Sequence, residues 1–189
     1  ESGYLAEIMQ EEDSDLNLSQ APRIIHSPDA RDALGLLRAR KFDLVITMAR
    51  VGEMDVKAFG TEAKRIVEGL PVVMLSHNTR ELATLSAGEG IDRIFVWTGD
   101  SRILLSICKL IEDERNVEND VRDGDVQVIL LIEDSRRFYS AYLPLLYTQL
   151  VEQTTRLMGE GGNLHEKLLR LRARAKILLA SDMNSAKSI

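Results

Sequence analysis

The chain of 189 residues is 44% hydrophobic and 29% charged, which is typical of a folded globular protein and excludes an extensively disordered one. The formal net charge of −6 argues against a general nucleic-acid-binding protein, and no apolar run approaches the roughly 20 residues that span a bilayer. A single cysteine, Cys108, excludes an internal disulfide framework and favours a reducing compartment, so we expect a cytoplasmic protein.

Strands and helices are predicted to alternate from about residue 22 to residue 112. Ser27 and Pro28 mark the start of the first helix in this region, with serine as N-cap. Such alternation is typical of an α/β fold with a doubly wound parallel sheet. The predicted strands are Arg23–His26, Phe42–Thr47, Leu70–Ser76 and Ile91–Trp97, and the predicted helices carry buried stripes that include Ala30, Leu34, Leu37, Val56, Phe59, Ala63, Ile66, Leu104, Ile107 and Ile111.

No strand is predicted ahead of this alternation. Residues 3–12 read as a helix, whereas a doubly wound sheet should begin with a strand. Because the chain starts with Glu1 and not with methionine, we expect it to be a fragment from which the first strand is missing.

Charge divides the sequence near Gly124. Residues 1–125 carry 24 acids and 15 bases, a net charge of −9, whereas residues 126–189 carry 6 acids and 9 bases, a net charge of +3. The segment 112–125 alone holds seven acids against two arginines. We therefore predict that it continues the preceding helix and then becomes a linker between two domains.

The part after residue 126 contains two further predicted strands, 127–132 and Lys176–Ala180. The first is apolar at consecutive positions, which predicts a strand buried on both faces. A long helix over about 135–158 should be kinked at Pro144, where the ring removes a hydrogen bond. Its predicted apolar side consists of Phe138, Tyr142, Leu145, Leu146, Leu150 and Leu157.

Two acids, Glu133 and Asp134, follow directly after the strand at 127–132. Open α/β sheets bind ligands at the carboxyl ends of their strands, so this pair is a candidate Mg²⁺ site. The simpler interpretation is an acidic pair at a helix N-terminus, where the helix dipole favours negative charge.

Five basic residues lie between Lys167 and Lys176 and raise the alternative of nucleic-acid binding. They do not share one helical face, and no aromatic residues interleave them. We therefore interpret them as a solvated helix face and expect no nucleic-acid partner.

The order of elements in 22–112 resembles a response-regulator receiver domain from its second strand onward. In that family the third strand ends in the aspartate that accepts a phosphoryl group, and here the matching position is Met48. Ser76 matches the serine or threonine that senses the phosphate, whereas Trp97 and Thr98 stand where the family has a lysine and a proline. The resemblance thus implies a vestigial pocket of Ser76, Trp97 and Thr98 without a phosphoacceptor or catalytic residue.

The stretch Leu131–Ser135 resembles the acidic first strand of a second receiver, in which Glu133 and Asp134 would bind Mg²⁺. The acceptor aspartate of such a domain would follow on a third strand, and the sequence stops after the second. The combination of a degenerate receiver and an extended one is similar to N-terminal regulatory regions of phosphoenolpyruvate synthase or pyruvate phosphate dikinase-like proteins. That similarity rests on domain order and on the stretches 142–147 and 170–180.

These resemblances imply a flavodoxin-like fold in three parts: a degenerate receiver-like domain at 1–115, an acidic helical linker at 116–126 and a truncated second receiver-like domain at 127–189. The expected function is a two-component signal-transduction module, a pseudo-receiver that acts through a protein partner or adjacent domain and is not itself an enzyme. No cofactor is required except an optional Mg²⁺. The alternative is a Mg²⁺-dependent phosphoacceptor that regulates a phosphoenolpyruvate- or pyruvate-utilising enzyme domain in a phosphorelay.

Family analogy places the interaction face at about residues 78–112. Homodimerisation is a further expectation, because a sheet without its first strand leaves apolar surface uncovered. In one specific version, Val128–Ile132 fills the empty central position and pairs with Ile24 or Val45, in the same chain or in a partner.

Overall fold

The computed structural model describes residues 23–77, 87–88, 90–124, 126–158 and 174–188. The chain divides into two compact units, one over Ile24–Asp100 and the other including Ser101–Ile189. The first unit ends before the predicted domain end at residue 115, because the helix that begins at Arg102 belongs to the second unit. The predicted helix at 3–12 lies outside the described residues. So does most of a further helix that the sequence predicts from about Asn78 to Gly88–Gly90.

A parallel three-stranded sheet forms the centre of the first unit. The elements of this unit are α1 (Ala30–Ala39), β1 (Val45–Met48), β2 (Arg50–Val51), β3 (Met54–Asp55), α2 (Val56–Ile66), β4 (Val72–Ser76) and β5 (Arg93–Val96). The order of the sheet is β1–β4–β5, with Val45 opposite Val72 and Ser76 opposite Val96. A short antiparallel hairpin, β2–β3, follows β1.

The central strand β4 is buried at all five positions, as expected for a parallel strand with neighbours on both edges. The apolar stripes of the described helices supply the rest of the core, and the predicted stripes are confirmed except at Ile66, which is only partly buried. The buried helical residues are Ala30, Leu34 and Leu37 in α1 and Val56, Phe59, Gly60 and Ala63 in α2.

Aspartates, not serine, cap the two helices that the structure describes in the first unit. Asp29 accepts a hydrogen bond from the Asp32 amide at 2.9 Å, so the predicted N-cap Ser27 is wrong by two residues. The Ser27 hydroxyl instead lies 2.8 Å from an Asp32 carboxylate oxygen. Asp55 caps α2 by accepting from the amides of Lys57 and Ala58.

The predicted strand Arg23–His26 is wrong, because these residues form no strand. The other three predicted strands of this unit are confirmed with shorter bounds. Mixed α/β architecture with a parallel sheet and helices is thus established for this part of the chain.

The second unit contains a two-stranded parallel sheet. The elements of this unit are α3 (Arg102–Gly124), β6 (Val128–Ile132), α4 (Arg136–Met158), β7 (Lys176–Ala180) and α5 (Met183–Ser188). Strands β6 and β7 pair with Val128 opposite Lys176 and Ile132 opposite Ala180. Strand β7 has the predicted bounds, whereas β6 begins one residue after the predicted start at Gln127. Helix α3 continues through most of the segment 116–126 that was predicted to be a linker.

The buried side of α4 differs from the predicted one. Tyr139, Leu143, Tyr147 and Val151 are buried at a spacing of four residues. By contrast, Phe138, Tyr142 and Leu145 of the predicted side are 42–54% exposed. The helix is apolar on most of its circumference, so its sequence alone does not fix which side packs. Pro144 lies inside it, as predicted.

Strand β6 is not buried on both faces. Val128, Leu130 and Ile132 are 42–46% exposed, whereas Ile129 and Leu131 between them are half-buried. Among the described strands, β6 lies in a sheet with β7 and not in the sheet of Val45, so the hypothesis that it completes the first sheet within the chain is wrong. In the part of the chain that the structure describes, no helix has the length and apolarity needed to cross a membrane.

Two glycines allow α2 to contact the turn before β5. A Cβ placed on Gly60 would lie 2.4 Å from the carbonyl oxygen of Gly90. Gly90 itself has a φ of +97°, a conformation that side chains disfavour, and a Cβ there would lie 2.4 Å from the Thr61 amide nitrogen. This approach of backbone to backbone leaves no room for even a methyl group.

The substitution Gly60→Ala should therefore destabilise the first unit, by about 1–3 kcal/mol as expected for overpacking. Gly35 is the matched control, since it lies in α1, is exposed, and a Cβ placed on it would meet no atom within 4 Å. Gly35→Ala should stabilise by up to about 1 kcal/mol through helix propensity. Urea unfolding followed by circular dichroism measures both, and equal effects of the two substitutions would contradict the close approach.

Candidate functional site

The carboxyl ends of β1, β4 and β5 meet at one edge of the first sheet, since the three strands are parallel. Met48 ends β1 and is 39% exposed, so it lies at the surface. Ser76 ends β4 and is buried. The structure therefore brings the position matched to a phosphoacceptor to the same sheet edge as Ser76.

Trp97 and Thr98 follow β5 at this edge. The Trp97 amide donates a 2.9 Å hydrogen bond to the Ser76 carbonyl oxygen, which extends the pairing of the two strands. The Trp97 ring meets His77 edge-on, with 6.2 Å between centroids and 77° between planes. Thr98 is exposed. Met48, Ser76, Trp97 and Thr98 supply neither the carboxylate nor the ammonium that phosphoryl transfer to aspartate uses.

The second candidate site lies at the carboxyl edge of the β6–β7 sheet. The Glu133 amide donates to the Ala180 carbonyl oxygen at 3.0 Å, and its carboxylate accepts from the Ser135 amide at 2.9 Å. Ser135 in turn accepts from the amides at the start of α4, so Glu133 supports the entry into the helix. Asp134 is exposed.

Sequence reasoning did not select a third acid at this edge, Asp182, which follows β7. Its carboxylate accepts from the Asn184 and Ser185 amides at 2.8 Å each and caps α5. These backbone hydrogen bonds, the Ser185 one first, lower the pKa of Asp182 below its usual value. Its local sequence, Ser-Asp followed by a short helix, is a recognisable cap signal.

Glu133 and Asp134 have the chemistry of a minimal Mg²⁺ site, since magnesium takes one or two carboxylates and keeps several waters. Among the described residues, no group of three acids, histidines or cysteines is placed to hold a metal ion. The pair therefore fits as two oxygen ligands of a hydrated cation, with Glu133 already engaged by one backbone amide.

The carboxylate of Asp113 on α3 is fully buried and has several hydrogen-bonding partners. Arg174 binds it through two hydrogen bonds, at 2.7 Å to Oδ1 and 2.9 Å to Oδ2. The Tyr147 hydroxyl and the Ile177 amide each donate to Oδ2 at 3.0 Å. One side chain thus joins α3, α4 and β7.

Two further groups balance the charge around Asp113. Lys176 Nζ lies 3.8 Å from Asp113 Oδ1 and 2.7 Å from an Asp120 carboxylate oxygen. The Arg174 guanidinium carbon lies 5.5 Å from the centroid of the Tyr147 ring, within range of a cation–π interaction. Two acids therefore face two bases, which is how a protein interior tolerates charge. We call these five residues, Asp113, Asp120, Tyr147, Arg174 and Lys176, the Asp113 cluster.

The Asp113 cluster also closes one edge of the sheet. Lys176 donates its amide to Gln127 next to β6, so the amide of the following residue, Ile177, points to the opposite edge. There the Asp113 carboxylate accepts it. A side chain of α3 therefore occupies a hydrogen-bonding position that a further strand would need.

This arrangement corrects the interpretation of the basic segment. Arg174 and Lys176 are buried and paired with acids, so they belong to no solvated helix face. The remaining bases of that segment lie outside the described residues. The opposite net charges of 1–125 and 126–189 were the sequence signal for this pairing, although they do not say which residues meet.

Burial raises the pKa of Tyr147 well above its usual value of 10.0, and the charge of Asp113 adds to the effect. Burial also lowers the pKa of Arg174, but its hydrogen bonds to Asp113 and the charge of that carboxylate outweigh it, and the net shift is upward. Tyr147 therefore stays a neutral donor and Arg174 a cation, so these two members of the Asp113 cluster have a fixed charge state at neutral pH.

Comparison of the chain with protein-family models, curated proteins and solved structures found no match.

Substituting Asp113→Asn should destabilise the protein by about 3–5 kcal/mol, because it leaves the buried Arg174 cation without its anion. Asp123→Asn is the matched control, since Asp123 pairs with Arg122 on the surface of the same helix and should change stability by less than about 1 kcal/mol. Urea unfolding at pH 7 measures both free energies, and equal losses in the two variants would contradict the buried ion pair.

A double variant distinguishes the free-energy cost of an unpaired buried charge from the cost of lost packing. Asp113→Leu combined with Arg174→Met removes both charges, so its cost should be well below the sum of the two single substitutions. Additive costs would contradict direct coupling between the two side chains.

The stability of the protein should fall with pH above about 10, the ordinary tyrosine pKa. Unfolded Tyr147 loses its proton there while folded Tyr147 keeps it, so unfolding releases a proton and the free energy of unfolding drops by about 1.4 kcal/mol per pH unit. Tyr147→Phe should remove this contribution to the slope. Urea unfolding at pH 8–11 tests this, and identical slopes in the two proteins would contradict the raised pKa.

Proposed function

We propose that the chain is a two-component-type signal-transduction module of flavodoxin-like fold, in which the first unit is a pseudo-receiver. It acts by contact with a protein partner or an adjacent domain and does not accept a phosphoryl group on an aspartate of its own. The proposed compartment is the cytoplasm.

The order of the first sheet supports the fold part of this proposal. Strands β1, β4 and β5 are parallel neighbours in chain order, with the hairpin and α2 between the first two. The last three strands of a flavodoxin-like sheet, with order 2-1-3-4-5, have the same arrangement. In that correspondence β1 is the third strand, and its last residue occupies the acceptor position.

The observation that carries the functional part is the exposed thioether of Met48 at that position. A thioether sulfur is at most a weak acceptor and has no oxygen to phosphorylate. Trp97 follows β5 where a receiver has a lysine, and an indole cannot neutralise a phosphate. A module with this edge has to signal by changing its contacts, since it lacks the group that chemistry would modify.

Incubation of the protein with Mg²⁺ and acetyl phosphate should therefore give no hydroxylamine-sensitive phosphoryl adduct in the first unit, as measured by intact-mass spectrometry and peptide mapping. Beryllium fluoride with Mg²⁺ should likewise leave the amide spectrum of residues around Met48 unchanged. A labile adduct on any aspartate of residues 24–100 would contradict the pseudo-receiver.

A second candidate function is favoured by Glu133 and Asp134 at the end of β6. With an acceptor aspartate, this pair would hold the Mg²⁺ of a phosphoaccepting receiver that regulates a phosphoenolpyruvate- or pyruvate-utilising enzyme domain. Adduct formation that maps to the second unit, requires Mg²⁺ and is lost in Glu133→Gln/Asp134→Asn would favour this function over the first.

A further inference from the structure

The two edges of the β6–β7 sheet differ in chemistry. At the β7 edge, the Asp113 carboxylate accepts the outward Ile177 amide. Within the described residues, β6 pairs with β7 alone, and no strand lies at the other edge of β6. Among the described residues, β6 therefore presents an open row of backbone donors and acceptors on its other side.

The hydrogen bonds to β7 identify the residues of that open row. Gln127 and Glu133 direct their backbone groups to β7, accepting from Lys176 and donating to Ala180. Backbone direction alternates along a strand, so Val128, Leu130 and Ile132 direct their N–H and C=O groups to the open edge.

The side chains of the same three residues form the exposed face of the strand. Val128 and Leu130 are each 42% exposed and Ile132 is 46% exposed. Natural edge strands are normally protected by charged residues, proline or bulges. The sequence Val-Ile-Leu-Leu-Ile contains none of these, so both the backbone and the side chains of β6 favour an additional strand.

We propose that β6 pairs with β6 of a second copy of this chain, antiparallel about a two-fold axis at Leu130. This inference is independent of the proposed function. Leu130 then faces Leu130 of the other copy, and Val128 faces Ile132. Each of these opposed positions exchanges two backbone hydrogen bonds, because all three residues direct their backbone groups outward. The two sheets merge into one four-stranded sheet with β7 at both outer edges.

The charges that flank β6 select this orientation. About the axis at Leu130, Glu133 faces Gln127 and Asp134 faces Val126, so no acid meets an acid. Parallel in-register pairing would place Glu133 beside Glu133 and Asp134 beside Asp134, and like charges directly opposed are destabilising. A second copy also fits because a two-fold interface uses the same patch twice, and this patch is self-complementary.

The first test is the oligomeric state of the full chain by sedimentation equilibrium. The protein should dimerise, and Leu130→Lys should weaken the dimer by at least about tenfold, since it opposes two ammonium groups at the axis. Val121→Lys is the matched control, because Val121 is also 42% exposed but lies on α3, and it should leave the dimer intact. A monomer at all concentrations, or a dimer that Leu130→Lys does not weaken, would overturn the proposal.

Cross-linking gives a second test that does not depend on the lysine variant folding. In a Cys108→Ser background, Leu130→Cys chains should cross-link to each other with a short bismaleimide. A mixture of Val128→Cys and Ile132→Cys chains should also cross-link, whereas Val128→Cys alone should not. Efficient cross-linking of Val128→Cys with itself would show parallel pairing and overturn the antiparallel register, and failure of Leu130→Cys to cross-link would overturn the contact.

Discussion

Burial of one carboxylate, that of Asp113, is the constraint on which the second unit depends. The buried charge has to be compensated within its own contacts, because burial removes it from bulk water. Arg174, Tyr147 and the Ile177 amide provide that compensation from a loop, a helix and a strand that are distant in sequence from Asp113. Helix α3 is consequently part of the core of this unit and cannot be treated as a tether between domains.

The sequence predicted most of the secondary structure but not which side of α4 is buried. Strand β7 was predicted with its observed bounds, and β6 to within one residue, because each is a short apolar run with polar residues at both ends. The α4 sequence has apolar residues around most of its circumference. Periodicity therefore did not show whether the side with Phe138 and Tyr142 or the side with Tyr139 and Leu143 is buried. Tertiary contact decides that choice, as Tyr147 shows by reaching Asp113 with its hydroxyl.

The candidate sites likewise differ in whether the sequence predicted them. Glu133 and Asp134 were predicted at a strand end because position after an apolar run is a local signal. The pair of Asp113 and Arg174 was not predicted, because the two residues are 61 positions apart and each lies in a segment rich in its own charge. Local composition predicts that the charged side chains of such segments are exposed to solvent, and only the fold reveals which of them are buried.

The two edges of the β6–β7 sheet differ in whether they can accept a further strand. At the β7 edge a buried carboxylate takes a backbone amide and thereby excludes a further strand. At the β6 edge three exposed aliphatic side chains accompany outward backbone groups, and both kinds of group gain from a further strand. Because the Asp113 cluster occupies the β7 edge, a further strand can join this sheet only at β6. A sheet that could grow at both edges would form open-ended assemblies, whereas growth at one edge gives a closed pair.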